Sequence, residues 1–358
     1  MTRLASGRPT RVDVGASEWL INDEPTHLRE WGTHRIHPLP PSGEELTIGA
    51  GEGCALRLLD PSRRVSREHA RLSREHAGWV IRDLSSTNGT RIDGARRAQL
   101  ALAPGAEVGI GPFTLIAESP ALLALRGFLA RLLGWSPDRI TAIDRAVRAV
   151  RAAVARRAAL YMCGPGDLVP LAQGLHLRTL GDARPFVICD PRRRSVGASV
   201  RAAESLRDGL SAMDAAAGGT MCVRLRRLPR DFPEIALTFR DPASRAQIIV
   251  CTDDIGDPRT LLADPIIIPP LTYRRAEIGR LINEYTRDAI ASLGAGPELT
   301  RADHDWVREH AAGSLPEIEK STRRLVAIRQ AGSIAQAAAR LGMSHVALSQ
   351  WIGRRRLP

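Results

Sequence analysis

Eight basic side chains and not one acid follow Glu319: Lys320, Arg323, Arg324, Arg329, Arg340, Arg354, Arg355 and Arg356. They supply two thirds of the net charge of +12 carried by the 358 residues. Cations gathered in one stretch raise affinity for polyphosphate, because binding releases condensed counterions. In the same stretch His345, Val346, Ala347, Ser349 and Gln350 fall on one side of a predicted helix, with Leu348 and Ile352 on the other. A glutamine can pair with adenine, and His or Ser can meet a base edge, so the first side carries groove-reading groups. Arg354, Arg355 and Arg356 follow as phosphate clamps.

The elements that must present these groups are two short helices. Ser333 is placed to cap a helix over Ile334–Leu341, Gly342 to end it in a left-handed turn, and Ser344 to cap the next. Ala337 and Ala338 are small enough for the helices to cross closely, and Met343 is read as a core plug. Residues Gly332 to Ile352 resemble the Fis-type helix-turn-helix that ends many sigma-54-type transcription activators. The resemblance implies double-stranded DNA as partner, with Ser344, His345, Val346, Ala347, Ser349 and Gln350 at the major groove. Readers of this size usually work in pairs, so a homodimer is expected. Trp351 is left open between packing on a scaffold and a dimer contact.

The middle of the chain offers a second place for chemistry. The apolar runs at 159–163, 185–189, 221–223 and 247–251 alternate with helical stretches, which predicts a parallel, two-sided α/β sheet. Ala217-Gly218-Gly219-Thr220, Leu228-Pro229, Ile249-Val250-Cys251-Thr252 and Ile268-Pro269-Pro270-Leu271 with Arg274-Arg275-Ala276-Glu277-Ile278 make this part resemble an eroded AAA+ domain of the same activators. A phosphate loop needs a glycine-rich turn followed by Lys and Ser or Thr. Here the turn reads Cys163-Gly164-Pro165-Gly166-Asp167-Leu168, Asp167 would repel phosphate, and Lys320 is the only lysine. Where the resemblance implies an Asp-Glu pair, the chain reads Met221-Cys222-Val223-Arg224-Leu225-Arg226-Arg227. The polymerase-contacting GAFTGA loop has no counterpart between Arg192 and Ala217, and the lid motif reads Gly313 to Glu319. The expectation is a scaffold without ATP hydrolysis: no catalytic residues, no cofactor, no metal. His304, Asp305 and His310 read as solvated helix surface.

The N-terminal part supplies a third candidate. Short alternating runs from Arg35 to Glu118, broken by turn residues, predict an all-β sandwich, with Asn88-Gly89 as a hairpin turn between Ile81 and Ile92. Thr47-Ile48-Gly49, Val65-Ser66-Arg67-Glu68-His69-Ala70, Asp83-Leu84-Ser85-Ser86-Thr87-Asn88-Gly89-Thr90 and Val108-Gly109-Ile110-Gly111 resemble a forkhead-associated (FHA) domain. The resemblance implies an eleven-stranded sandwich that reads phosphothreonine with loops at one end. Ser66, Arg67 and Thr87 would face the phosphate, Asn88 would hold the peptide backbone, and Gly49, His69 and Gly89 would be structural. Hydroxyl, amide and guanidinium donors on rigid loops are what such an anion requires. The family's arginine after the Ile48-Gly49 step is replaced by Ala50, a loss of about 1.5–3 kcal/mol for a charge-assisted hydrogen bond. Arg57, Arg63 and Arg64 are candidates to substitute.

The reading divides the chain into a tail or extra edge strand (1–34), an FHA domain (35–118), a degenerate AAA+-like α/β domain (119–270), a helical lid and linker (271–330) and an all-α helix-turn-helix (331–358). No apolar run approaches the roughly 18 residues of a membrane span. Five separated cysteines and no apolar leader point to a cytoplasmic protein with reduced thiols. The function read is a transcription regulator coupling phosphothreonine sensing, downstream of a Ser/Thr kinase, to a promoter, with RNA polymerase among its partners. The rival readings are an ATP-dependent sigma-54 activator and an FHA adaptor whose tail binds nucleic acid without sequence preference.

Overall fold

The computed structural model describes residues 23–41, 43–75, 78–155, 159–192, 203–238, 246–254, 264–294, 298–355 and 357. They divide into two compact units: the residues up to Leu125 with Leu177–Ala183, and Arg126–His176 with those from Arg184 onward.

The first unit holds eleven strands in two sheets. Strands β1 (His27–Glu30), β2 (Ile36–Pro38), β7 (Arg91–Ile92), β8 (Ala95–Arg96), β10 (Glu107–Ile110) and β11 (Phe113–Glu118) form one, in the order β2-β1-β11-β10-β7-β8. Strands β3 (Leu46–Gly49), β4 (Leu56–Arg57), β5 (Ala70–Glu75), β6 (Gly78–Asp83) and β9 (Gln99–Ala101) form the other, in the order β4-β3-β5-β6-β9. Alternate residues of both sheets meet in one core that includes Ile48, Leu72, Ile81, Val108, Ile110 and Leu115. The period of two carries this: each fully buried Leu, Ile or Val contributes about 1.5–3 kcal/mol.

Two sequence expectations need correction. Of residues 1–34, read as a tail or an extra edge strand, 1–22 lie outside the described residues; the rest hold an extra strand, but not at the edge, because β1 lies between β2 and β11, pairing Leu28 with Ala117 and Arg29 with Ile116. All four of its residues are buried, and its polar ones are paired, with Arg29 Nε 2.8 Å and His27 Nε2 3.1 Å from the Glu118 carboxylate. Internal pairing makes a central strand tolerable where hydropathy reads as polar. Nor is Asn88-Gly89 a hairpin turn, because β6 and β7, which flank it, belong to different sheets. The tight turn is Asp93-Gly94 between β7 and β8, where both residues take positive φ (47° and 84°) as a type I′ turn demands.

The second unit is built on a six-stranded sheet, parallel throughout, in the order β14-β13-β15-β16-β12-β17. Its strands are β12 (Leu160–Cys163), β13 (Phe186–Cys189), β14 (Glu204–Leu206), β15 (Thr220–Arg224), β16 (Gln247–Thr252) and β17 (Ile266–Ile267). The four apolar runs read from sequence are the four longest of these; β14 and β17, three and two residues long, carried no signal. Strands β13 and β16 are buried at every position, as a parallel sheet covered on both faces requires. Helices Ile278–Leu293, Arg301–His310 and Leu315–Gln330 follow, then Ile334–Leu341 and His345–Gly353. Among the described residues, no helix is long and apolar enough to cross a membrane.

Candidate functional site

Three loops meet at one end of the sandwich. Ser66 and Thr87, 21 positions apart, are joined by the Thr87 N–H donating to Ser66 Oγ at 3.1 Å, with the two hydroxyl oxygens 3.5 Å apart. Asn88 Nδ2 donates to the Arg64 carbonyl at 2.8 Å. His69 braces both loops from beneath: its Nδ1 accepts from the Ser66 N–H at 3.2 Å, so Nε2 carries the proton and faces the Gly89 carbonyl at 3.4 Å. Burial pushes the His69 pKa down, against a smaller opposite pull from the Gly89 carbonyl and Asp83. The imidazole thus ties the two loops together by hydrogen bonds.

Two aspartates that sequence reasoning passed over shape these loops. Asp60 accepts from the backbone N–H groups of Ser62, Arg64 and Val65, fixing the run that delivers Ser66 and Arg67. Asp83 accepts from Ser86 Oγ at 2.6 Å, Thr90 Oγ1 at 2.8 Å and the Ser86 N–H at 3.0 Å, folding the loop that delivers Thr87 and Asn88. Burial works against the Asp83 carboxylate, but those hydrogen bonds outweigh it and hold its pKa below the usual range. The available signal was local: Asp before Pro-Ser and Asp before Leu-Ser-Ser are side chains that cap their own turns.

Glycine is required at two of the expected positions. A Cβ on Gly49 would stand 2.1 Å from the Arg67 carbonyl oxygen. Gly89 has φ +73°, and a Cβ there would meet Arg96 Nε at 2.2 Å. Ala50 packs partly against the sandwich core and uses its N–H on the Ser66 carbonyl, so nothing at that position reaches an anion. Of the candidate substitutes, Arg57 reaches Glu52 at 3.5 Å and Arg64 Nε donates to Ser62 Oγ. Arg67 is exposed and forms no ion pair among the described residues. A cavity of about 360 Å³ lies beside this end, lined by Arg64, Asn88, Arg91, Glu107 and Phe113 among others.

In the second unit, the turn after β12 lies at the carboxyl ends of the parallel strands, where open α/β sheets place their ligands. A cavity of about 440 Å³ opens there, lined by Gly166, Asp167, Arg224, Arg226, Thr252 and Asp253 among others. Its charges are already satisfied from within. Arg224, at the end of β15, donates to Asp167 at 2.8 and 3.0 Å and to Asp190, just past β13, at 2.9 Å. Arg227 also reaches Asp190 at 3.3 Å, and Arg226 pairs with Asp253 at 3.0 Å. Asp167 is thus an ion-pair partner, a role that its reading as a phosphate-repelling charge did not include. The cysteines in this sheet are buried, and burial raises the Cys163 and Cys189 thiols, the latter to about 12, which keeps them unreactive. Among the described residues no His, Cys, Asp and Glu group could hold a metal ion.

The last two helices carry the expected caps. Ser333 Oγ and Ser344 Oγ each accept an N–H three residues on, at 3.2 Å, and Gly342 takes the left-handed conformation (φ 67°, ψ 30°). Ala337, Ala338, Leu348 and Trp351 are buried, whereas Met343 and Ile352 are only half-buried, so Trp351 is the second core anchor of the last helix. Trp351 stands edge-on to Trp306 at 5.8 Å between ring centroids, a packing contact within this unit. His345, Val346, Ala347 and Gln350 are exposed together, Val346 at 62%, with Ser349 half-buried beside them. Arg354 is exposed; Arg355 instead turns back toward the Trp351 ring, with Cζ 5.4 Å from its centroid. Arg356 lies outside the described residues. His310 is exposed but stacks on Trp306 at 5.1 Å.

The first unit is, by architecture, a β-sandwich module with its polar recognition groups on loops at one end. The FHA domain family matches residues 46–111, so this segment is an FHA domain. Similar solved structures include one described as a structural and functional analysis of phosphothreonine-dependent FHA domain interactions. It is 29% identical, covers 26% of this chain and 94% of that one, and has a TM-score of 0.24. The FhaA FHA domain complexed with the intracellular domain of Rv3910 is 30% identical over 25% of this chain and 96% of its own, with a TM-score of 0.23. Mycobacterium tuberculosis EmbR in complex with a low-affinity phosphopeptide is 26% identical, over 27% of this chain and 25% of that one, at a TM-score of 0.24. No curated protein matches the chain.

Proposed function

We propose that this chain is a DNA-binding regulator of transcription that receives its signal through phosphothreonine recognition by the FHA domain and hydrolyses no ATP. The phosphate would be held by Ser66, Arg67 and the Thr87 loop, with Asn88 turning from the Arg64 carbonyl to the peptide backbone. Residues His345, Val346, Ala347, Ser349 and Gln350 would enter the major groove, with Arg354 on a flanking phosphate. The observation that carries the DNA reading is the joint exposure of that helix face in a stretch without acids, since a solvated Val346 gains little unless a partner covers it. The pairing of Arg224 with Asp167 and Asp190 supports a scaffold role, because magnesium and triphosphate would have to displace an internal ion-pair network.

The test is footprinting of the full-length protein on genomic DNA, repeated in the presence of a phosphothreonine peptide. Gln350→Ala is expected to relax sequence preference, and Arg354→Ala to weaken all sequences alike and flatten the salt dependence. Uniform binding without preference would assign the chain to the adaptor class, and magnesium-dependent ATP hydrolysis would assign it to the activator ATPases.

A further inference from the structure

Arginine gathers around Trp351 from two directions. Arg324, on the helix Leu315–Gln330, places Cζ 5.0 Å from the indole centroid, and Arg355, beyond the last helix, places its own at 5.4 Å. Lys320 stands one turn before Arg324 on the same helix and is exposed. None of the three forms an ion pair with a carboxylate among the described residues. Burial and mutual repulsion act on them together. The Lys320 ammonium is pushed below its ordinary range first by burial and then by Arg324 and Arg355, and Arg324 is lowered by burial and then by Arg355. Asp167 and Glu317 pull Lys320 the other way, but Asp167 is bonded to Arg224. The aromatic face favours the two guanidiniums, yet it supplies no counter-charge to three converging cations.

We propose that Lys320, Arg324 and Arg355 form a binding site for a small polyphosphate anion, which would fasten the last helix to the helix Leu315–Gln330. Two forked guanidiniums and an ammonium fit adjacent phosphate groups, the forks taking oxygens in pairs and the ammonium acting as a point charge. A free anion rather than a duplex is the occupant because of where the guanidinium lies. Arg355 is folded against the ring of Trp351, a buried residue of the packed side with Leu348, while Val346 and Gln350 are exposed on the rest of the helix. The site is separate from the groove-reading face.

Calorimetric titration of the full-length chain with inorganic triphosphate, in magnesium-free buffer of low ionic strength, tests this. Micromolar binding is expected, weakened about a hundredfold in Arg324→Gln/Arg355→Gln, the loss of two charge-assisted contacts at about tenfold each. Arg301→Gln, an exposed change on another helix, should leave it unchanged. Trp306 Nε1 bonds the backbone carbonyl of Arg355 at 3.2 Å, so the double variant keeps that anchor. Lys320→Gln, an exposed change, provides an independent variant that should weaken binding several-fold. Absence of heat, or equal affinity in all variants, would overturn the proposal. It would also fall if the double variant lost duplex affinity with triphosphate acting only as a competitor of DNA, because the cations would then belong to a DNA backbone contact.

Discussion

Replacing Arg224 by Met should strip the second unit of its main internal cation at the sheet end. The Asp190 side chain is wholly buried, that of Arg224 is 15% exposed and that of Asp167 48%. The Asp167 contact, half in water, is worth at most about 1 kcal/mol. Removing one partner of a buried pair costs about 3–5 kcal/mol, since the remaining charge has lost its water as well as its partner. Asp190 keeps Arg227 at 3.3 Å and the Arg192 N–H at 3.0 Å, which places the loss near the lower end, about 3 kcal/mol. Urea unfolding followed by circular dichroism at the helix band reads this unit, because nearly all the long helices belong to it. Adding Asp190→Asn removes the stranded charge, so the double variant should recover part of the loss. A single variant within about 0.5 kcal/mol of the wild type, the range for ordinary surface changes, would refute the reasoning, as would strictly additive losses.

Gly49→Ala forces a methyl to 2.1 Å from the Arg67 carbonyl and should lower FHA stability by about 1–3 kcal/mol or more while abolishing phosphopeptide binding, read by thermal unfolding and peptide titration. His69 has a depressed pKa in the fold, so its stabilising contribution is present above the unfolded value near 6.5. It should be lost as pH falls from there through the folded pKa, while His69→Gln flattens that part of the stability–pH curve. Asp83→Ala frees Ser86, Thr90 and their loop, and should weaken phosphopeptide affinity about tenfold, as the loss of a charged hydrogen-bond acceptor implies. Trp351→Ala should cost about 3–5 kcal/mol and release the last helix, seen as faster amide exchange over 345–353.

Much of the architecture was legible because it rests on short-range signals. Alternation gave the sandwich strands, apolar runs gave the long parallel strands, and Ser333, Gly342 and Ser344 marked the ends of the last helices. What escaped depended on pairing across the chain. Strand β1 reads as polar because Arg29 and Glu118 neutralise each other from positions 89 apart. Asn88-Gly89 has turn chemistry but serves a loop between sheets, whereas Asp93-Gly94 closes the hairpin. At the FHA end, Ser66, Thr87, Asn88 and His69 stand in the motif, while Asp60 and Asp83 were passed over because they fold their own loops rather than face an anion. Arg224 was read as a cation in an unfavourable place, and its two aspartates, 34 and 57 residues away, could be found only in three dimensions.

Only three residues, 331–333, separate the helix Leu315–Gln330 from Ile334–Leu341, and Trp351 pins the following helix against Trp306. In the proposed DNA-binding role, a reader mounted this way has almost no reach of its own. Where two copies share one operator, the distance between half-sites is then dictated by rigid protein geometry. Inserting about five base pairs, half a helical turn, would rotate one half-site to the far side of the duplex, where no tether could follow it.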